Sequence, residues 1–358
     1  MERFINWTLE GSPILAQILA FAVLVSCAGI PDSLHAQALN REDNLPFLTL
    51  RNDTGSDKPD KVFGDERSRP KAGWCKTREL VFDLLSPLAN QAPAYIQEEF
   101  VRVESIDRAS RETVLDALEA SAEGRPPLLY THGYNISFEK GCRRAARLQE
   151  NAGLSGRMLW FSWPSDGALT NYTHDEADLY WSIPDIASAV MELEKRFGHD
   201  EINVAGHSLG ARGLVLALSE VANRNPDVRI GELVLLAPDM DFEIFVRILP
   251  RIQRVVENIT VFVTSEDRPL ALSAQLHGYP RLGEAGNDVS TLIGVDVIDL
   301  SDLPSDSPTG HLYHIYSEDV GADLSQLLNE GKQPGQRRRM VQLSDNRWKL
   351  LPTTHAEE

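Results

Sequence analysis

An α/β fold, with a mostly parallel central sheet and helices on both faces, is predicted by three features of this 358-residue sequence. From residue 128 onward, short apolar runs rich in Val, Ile and Leu alternate with stretches of helical periodicity, the pattern of βαβ units. One of those runs, 201–205, ends in Gly206-His207-Ser208-Leu209-Gly210, and a helical pattern follows over 209–222. A strand–turn–helix of this G-x-S-x-G form holds its serine in a strained conformation, with the hydroxyl exposed at the tip. The flanking Gly206 and Gly210 suit a turn too tight for side chains. The composition, 42% hydrophobic and 25% charged, supplies a sizeable core.

Each element follows from its own pattern. Residues 39–77 are rich in Asp, Arg, Lys, Pro and Gly with little periodicity, and read as an extended N-terminal arm. Strands are expected over 79–85 and 95–106, then a helix with Leu115, Leu118 and Ala122 on one stripe. A strand at 128–131, a helix at 138–151 and a strand at 158–162 come next. A helix over 182–197 opens with Ser182-Ile183-Pro184-Asp185, a capping pattern, and carries Ile186, Val190, Leu193 and Phe197 on one face. Beyond the elbow, strands are expected at 232–237, 259–264 and 295–300, with short helices between. This gives a single domain over 78–330, followed by a C-terminal tail at 331–358.

The formal charge of −18 disfavours nucleic acid or an anionic membrane as an electrostatically held partner. Arg337-Arg338-Arg339 is the only basic run and reads as a solvated tail feature. Residues 1–38 read as a signal region: 14–25 is apolar apart from Gln17, too short to span a bilayer but suited to a signal-peptide core. Leu24-Val25-Ser26-Cys27 resembles a bacterial lipoprotein box in which Cys27 is lipidated. Ala36-Gln37-Ala38 instead fits ordinary cleavage after Ala38, and both exits stay open. Either way the expected location is the bacterial envelope, as periplasmic protein or membrane-anchored lipoprotein. Cys75 and Cys142 then remain as an even pair, available for one disulfide or as two buried thiols.

A serine becomes nucleophilic when a histidine takes its proton and a carboxylate orients that histidine. Behind this elbow the expected chain order is Ser, Asp or Glu, then His, all on loops at the carboxyl ends of strands. Among the histidines, His311 in Gly310-His311-Leu312-Tyr313-His314 follows the last strand and lies nearer the loop than His314, and His277 precedes that strand. For the acid, Asp267 directly follows the strand at 259–264. Asp239 and Asp241 follow the previous one, and chain order cannot separate the three. Asp239 and Asp241 are suited to capping the next helix, and Asp267 precedes Pro269 as a cap would. Two N–H donors are needed for the oxyanion, each worth roughly 2.7–4 kcal/mol of barrier. Leu209, after the nucleophile, is one; Tyr134, in Thr131-His132-Gly133-Tyr134-Asn135, is the other, with His132 bracing that loop. Trp163, Tyr172, Tyr180 and Trp181 suit either core or an acyl pocket. No H-E-x-x-H, Cys/His cluster or G-x-x-x-x-G-K occurs, so neither metal nor cofactor is expected.

These motifs occur together. H-G-Y-N-x-S-F-E at 132–139, F-S-W-P-S at 161–165, G-H-S-L-G at 206–210 and L-A-P-D-x-D at 236–241 stand in order. S-x-D-R at 265–268, R-L-G at 281–283 and G-H-x-Y at 310–313 complete the series. Over about residues 79–330 the chain resembles an uncharacterised bacterial α/β-hydrolase family whose members are often exported or lipid-anchored. The resemblance implies an α/β-hydrolase fold and a triad at Ser208, Asp267 and His311. Gly206 stands where that family's elbow carries alanine. The function expected is a serine hydrolase acting on a small-molecule acyl ester. A catalytically silent envelope scaffold and an acyltransferase using the same triad are the alternatives.

Overall fold

The computed structural model describes residues 43–79, 101–167, 170–304 and 309–353. The expected signal region with Cys27 and Ala38, all of the strand expected at 79–85 except Glu79, and the first half of that at 95–106 lie outside them. The described strands are β1 (Asp43–Asp53), β2 (Phe63–Glu79), β3 (Val101–Ala109), β4 (Leu128–Thr131), β5 (Met158–Ser162) and β6 (Asn203–His207). They continue with β7 (Ile230–Leu236), β8 (Val256–Val263), β9 (Asp296–Asp299), β10 (Met340–Gln342) and β11 (Arg347–Leu350). All join one sheet in the order β10-β11-β9-β8-β7-β6-β4-β5-β1-β2-β3. From β11 to β1 every neighbouring pair is parallel; β2, β3 and β10 add antiparallel edges. Helices α1 (Arg111–Ala122), α2 (Phe138–Asn151), α3 (Tyr172–Phe197) and α4 (Leu209–Arg224) connect the strands. After them come α5 (Phe242–Ile252), α6 (Arg268–His277), α7 (Tyr313–Tyr316) and α8 (Glu318–Glu330). The two hydrophobic clusters lie on opposite faces. One is built on Leu129, Val204, Leu233 and Val261 with α4, and the other on Leu128, Tyr130, Ala205 and Val234 with α2 and α8. Alternating residues of the same strands thus feed both faces, so these strands read as continuous apolar runs.

The order reverses between β4 and β6: β5 lies on one side of β4 and β6 on the other. Such a switch point opens a crevice at the carboxyl ends of the strands. The loop after β4 and the elbow after β6 both end there.

Three readings of the sequence need correction. The arm is not a surface loop: β1 lies between β5 and β2, with Leu45, Phe47, Leu48 and Leu50 buried. Pro46 hid it, yet pairing with β5 begins only at Phe47, so the missing N–H costs no bond there. Charges on the outer strands answer one another, Lys76 with Asp107 and Arg78 with Glu104. The C-terminal tail likewise supplies β10 and β11, and of its basic run only Arg338 is exposed. Arg337 Nη1 bonds Asp323 Oδ2 at 2.8 Å with both side chains fully buried, and Arg339 pairs with Asp319. Finally, the helix expected from residue 182 begins at Tyr172, and Pro184 sits inside it. Ser182 donates its hydroxyl to the Asp178 carbonyl at 2.7 Å instead of capping a terminus. The N–H that proline lacks would have met the carbonyl of Tyr180, an exposed residue.

Cys75 on β2 and Cys142 on α2 form a disulfide with their Cα atoms 6.3 Å apart. It fastens the antiparallel edge to the helix covering it. No described helix is long and apolar enough to cross a membrane.

Candidate active site

Strain marks the elbow. Ser208 has φ 53° and ψ −122°, a left-handed conformation that costs an L-residue on the order of 1–3 kcal/mol. Its backbone is held from three sides: Ser208 N–H donates to Leu236 O at 2.9 Å, and Ser208 O accepts from Ala211 N and Asp239 N at 3.1 Å each. The glycines follow from close approach. A Cβ on Gly206 would lie 2.6 Å from Ala211 Cα, and one on Gly210 would lie 2.1 Å from His132 O. Glycine at both positions is therefore what this backbone requires. Leu209 N–H opens α4 and belongs to the first turn, whose amides have no intrahelical acceptor.

The loop after β4 presses on the elbow: a Cβ on Gly133 would stand 3.0 Å from Ser208 Cβ and 2.8 Å from His207 Nδ1. His132 braces this loop, as expected from the sequence. Its ring stacks on Trp163 at 4.9 Å with an 11° interplanar angle. Trp163 Nε1 donates to His132 O at 2.8 Å. Burial first, and Arg51 second, push the His132 imidazole down to about 3, so it stays neutral. Tyr134 turns its ring edge-on to Tyr172, 5.2 Å between centroids. Burial, then Asp175 and Asp166, push its phenol up to about 12.

His311 and Asp267 meet: Nδ1 to Oδ2 is 2.6 Å across 44 residues of chain, with Asp267 buried. Asp267 also caps α6, Oδ1 accepting Leu270 N–H at 2.9 Å, which leaves Oδ2 for His311. Gly310 makes the encounter sterically feasible. Its φ is +69° and a Cβ there would fall 2.2 Å from Glu266 O. His207, next to Ser208, donates Nε2–H to His311 O at 3.1 Å. Ser208 Oγ forms no hydrogen bond to the His311 ring among the described residues.

The rival residues have other work. His314 is fully buried, its Nε2 3.4 Å from Tyr130 OH, and burial, then His311, push it well below the ordinary histidine range. It borders a small cavity of ≈ 10 Å³ with Tyr130, His207 and Arg144, at the lower bound for one water. His277 Nε2 lies 3.2 Å from Glu176. Asp241 caps α5 through Ile244 N–H at 2.9 Å. Asp239 caps nothing: it accepts from Tyr172 OH (2.5 Å), Ser273 Oγ (2.6 Å) and Arg281 Nε (2.8 Å). Burial alone would raise that carboxyl, but Arg212 and these donors outweigh it and hold it below its ordinary value. Of the four aromatics, Trp163 is core, Tyr172 joins this polar cluster, and Tyr180 and Trp181 are exposed.

Two residues escaped the sequence. Arg51 on β1 is buried and ties both motif loops to the sheet. Its guanidinium donates to Ile136 O (2.6 Å), Ser165 O (2.7 Å) and Ser162 Oγ (3.0 Å). Burial pushes it down to about 10. Asp175, in the first turn of α3, is buried and accepts from Ser165 Oγ (2.5 Å), Asp166 N (2.9 Å) and Asn135 N (3.1 Å). Asp166, His174 and Asp175 converge within 4.8 Å, a spacing compatible with a cation. Three donors already engage Asp175, which accounts for its burial without one.

These motifs and this fold point to one family. A family model described as an alpha/beta hydrolase of unknown function (DUF900) matches residues 107–330. The chain belongs to this family. In this α/β hydrolase the matched segment runs from the end of β3 through α8, so β1, β2, β10 and β11 complete the sheet from outside it. No curated protein matches the chain. Similar solved structures include a predicted CIB-like hydrolase from Thermoplasma acidophilum, at 14% identity and TM-score 0.36, covering 72% of this chain and 93% of its own. An esterase from Pyrobaculum calidifontis is similar at 14% identity and TM-score 0.36, with 89% and 97% covered. A hormone-sensitive lipase from a metagenome library is similar at 16% identity and TM-score 0.35, with 69% and 95% covered.

Proposed function

We propose that this α/β hydrolase cleaves carboxylic esters through an acyl-enzyme on Ser208. The observation that carries the reading is the His311–Asp267 pair, formed at the same sheet edge as the strained serine. In this scheme Ser208 Oγ attacks the ester carbonyl carbon while His311 Nε2 takes its proton. Asp267 keeps the proton on Nδ1 and supports the imidazolium that forms. The N–H groups of Leu209 and Tyr134 receive the oxyanion, with the N-terminus of α4 favouring negative charge. His311 then gives its proton to the departing alcohol, and water repeats the sequence to release the acid.

A p-nitrophenyl ester series run on wild type and Ser208→Ala tests this, with fluorophosphonate labelling beside it. Turnover and labelling that both vanish in the variant support the scheme. A wild type that neither labels nor hydrolyses any ester favours a silent scaffold, and ester products formed with added alcohol favour acyl transfer. The same reading places the enzyme in the bacterial envelope, supported by the apolar stretch before Cys27. Fatty-acid labelling lost in Cys27→Ser would separate lipidation from cleavage after Ala38.

A further inference from the structure

His207 occupies the variable position of the elbow, yet its side chain is buried and has a directed partner. A carbonyl can only accept, so the 3.1 Å contact fixes a proton on His207 Nε2, donated to His311 O. The opposite side of the ring is walled by Gly133, where a Cβ would stand 2.8 Å from Nδ1. The rings of His311 and His314 lie 4.6 Å and 4.2 Å away. Burial first, then these two histidines, hold His207 far below its ordinary value, so it remains a neutral donor.

Besides the bond of His311 to Asp267, two backbone carbonyls of this loop are held from outside it. Thr309 O accepts from Arg268 N at 3.1 Å, which ties the loop to the acid's side of the site. His311 O is tied to the residue before the nucleophile. The first link ties the loop to the side of Asp267; the second ties the base to the residue next to Ser208.

We propose that His207 is a positioning residue that sets the spacing between base and nucleophile through its hydrogen bond to the His311 carbonyl. The inference rests on the reading of His311 as general base. A misplacement of about 1 Å in such a pair costs on the order of 100-fold in rate. Removal of the link should therefore act on kcat rather than on KM.

The test compares His207→Phe, which keeps a ring but no donor, with His207→Gln, whose amide N–H reaches about as far as Nε2–H. With folding checked by thermal melting, the Phe variant should lose at least ~10-fold in kcat with KM within about threefold. The Gln variant should recover most of it. An activity-independent readout is the low-field NMR resonance of the proton between His311 Nδ1 and Asp267. It should persist in wild type and the Gln variant and broaden in the Phe variant as the loop loosens. Wild-type kcat in the Phe variant, or a folded Gln variant as impaired as Phe, overturns the proposal. If wild-type protein turns over no ester, the ester reading fails and the resonance alone decides: unchanged in the Phe variant, it overturns the positioning role as well.

Discussion

Asp267 serves two partners with its two oxygens, Oδ2 to His311 Nδ1 at 2.6 Å and Oδ1 to Leu270 N–H at 2.9 Å. One carboxylate thereby couples the start of α6 to the orientation of the imidazole. Asp267→Asn keeps a capping oxygen but can present the wrong tautomer to the ring. It should lower kcat by roughly 10³–10⁴-fold with little change in melting temperature. Asp267→Ala should add a loss of about 1 kcal/mol from the missing cap. Steady-state kinetics beside chemical denaturation separates the two effects, and an Asn variant with undiminished kcat would contradict the assignment.

Gly310 has no room for a side chain. A Cβ would fall 2.2 Å from Glu266 O at a φ of +69°, so Gly310→Ala must displace the His311 loop or the turn before Asp267. We expect at least a ~10-fold loss of kcat and a lowered melting temperature. By contrast Gly278→Ala, also at positive φ but with open space around it, should cost stability alone. Equal activity losses in both variants would show that the clash is not what matters.

Asp175 holds the Asn135 amide beside the proposed oxyanion donor Tyr134. Asp175→Ala strands one buried donor, Ser165 Oγ, at about 1–3 kcal/mol, and two partly buried ones, Asn135 N and Asp166 N, at less. The expected result is a destabilised protein whose remaining folded fraction turns over slowly at nearly unchanged KM. Active-site titration measures that fraction, and full turnover per titrated site would remove Asp175 from the support of the oxyanion loop.

Glu232, buried on β7, is pushed up to about 7 from an ordinary 4.5 by burial, against the Thr260 hydroxyl that donates to it at 2.7 Å. The folded chain therefore retains a proton that the unfolded chain has released between these values. Stability from this site is complete below about pH 4.5 and is lost as pH rises through 7. The loss is on the order of 3 kcal/mol at most. Relative to wild type, Glu232→Gln should gain stability between pH 5 and pH 8 in urea titrations. A difference that stays constant across that range would refute the shift.

The Cys75–Cys142 disulfide closes 67 residues of chain, and in the chain-entropy account its loss costs about 4 kcal/mol. Cys75→Ala with Cys142→Ala should lower the urea midpoint, and reductant should destabilise wild type but not the double variant. Two free thiols titrated in unreduced protein would exclude the bond.

The elbow, β4 to β8 and the helices between them, apart from the first ten residues of α3, were legible because each carries its own periodicity and punctuation. Phe138–Asn151 and Met158–Ser162 match the sequence reading to the residue. The strand before Gly133 and the strand before Ser208 could be named, and so could Asp267, Asp239, Asp241, His311, His314 and His277 as candidates. Local pattern determined which residue types stand at strand ends, because backbone geometry imposes a period on each element separately.

Tertiary structure decided the rest. Asp267 rather than Asp239 faces His311, because two arginines and a tyrosine neutralise and hold Asp239 elsewhere. β1, β2, β10 and β11 were missed because many of their polar and charged residues find partners only in the folded chain, across the sheet or on distant loops and helices. Arg51 and Arg337 look like surface residues in one dimension, yet both are buried against acceptors from distant segments. A partner's position is a property of the closed chain, and no window of sequence contains it.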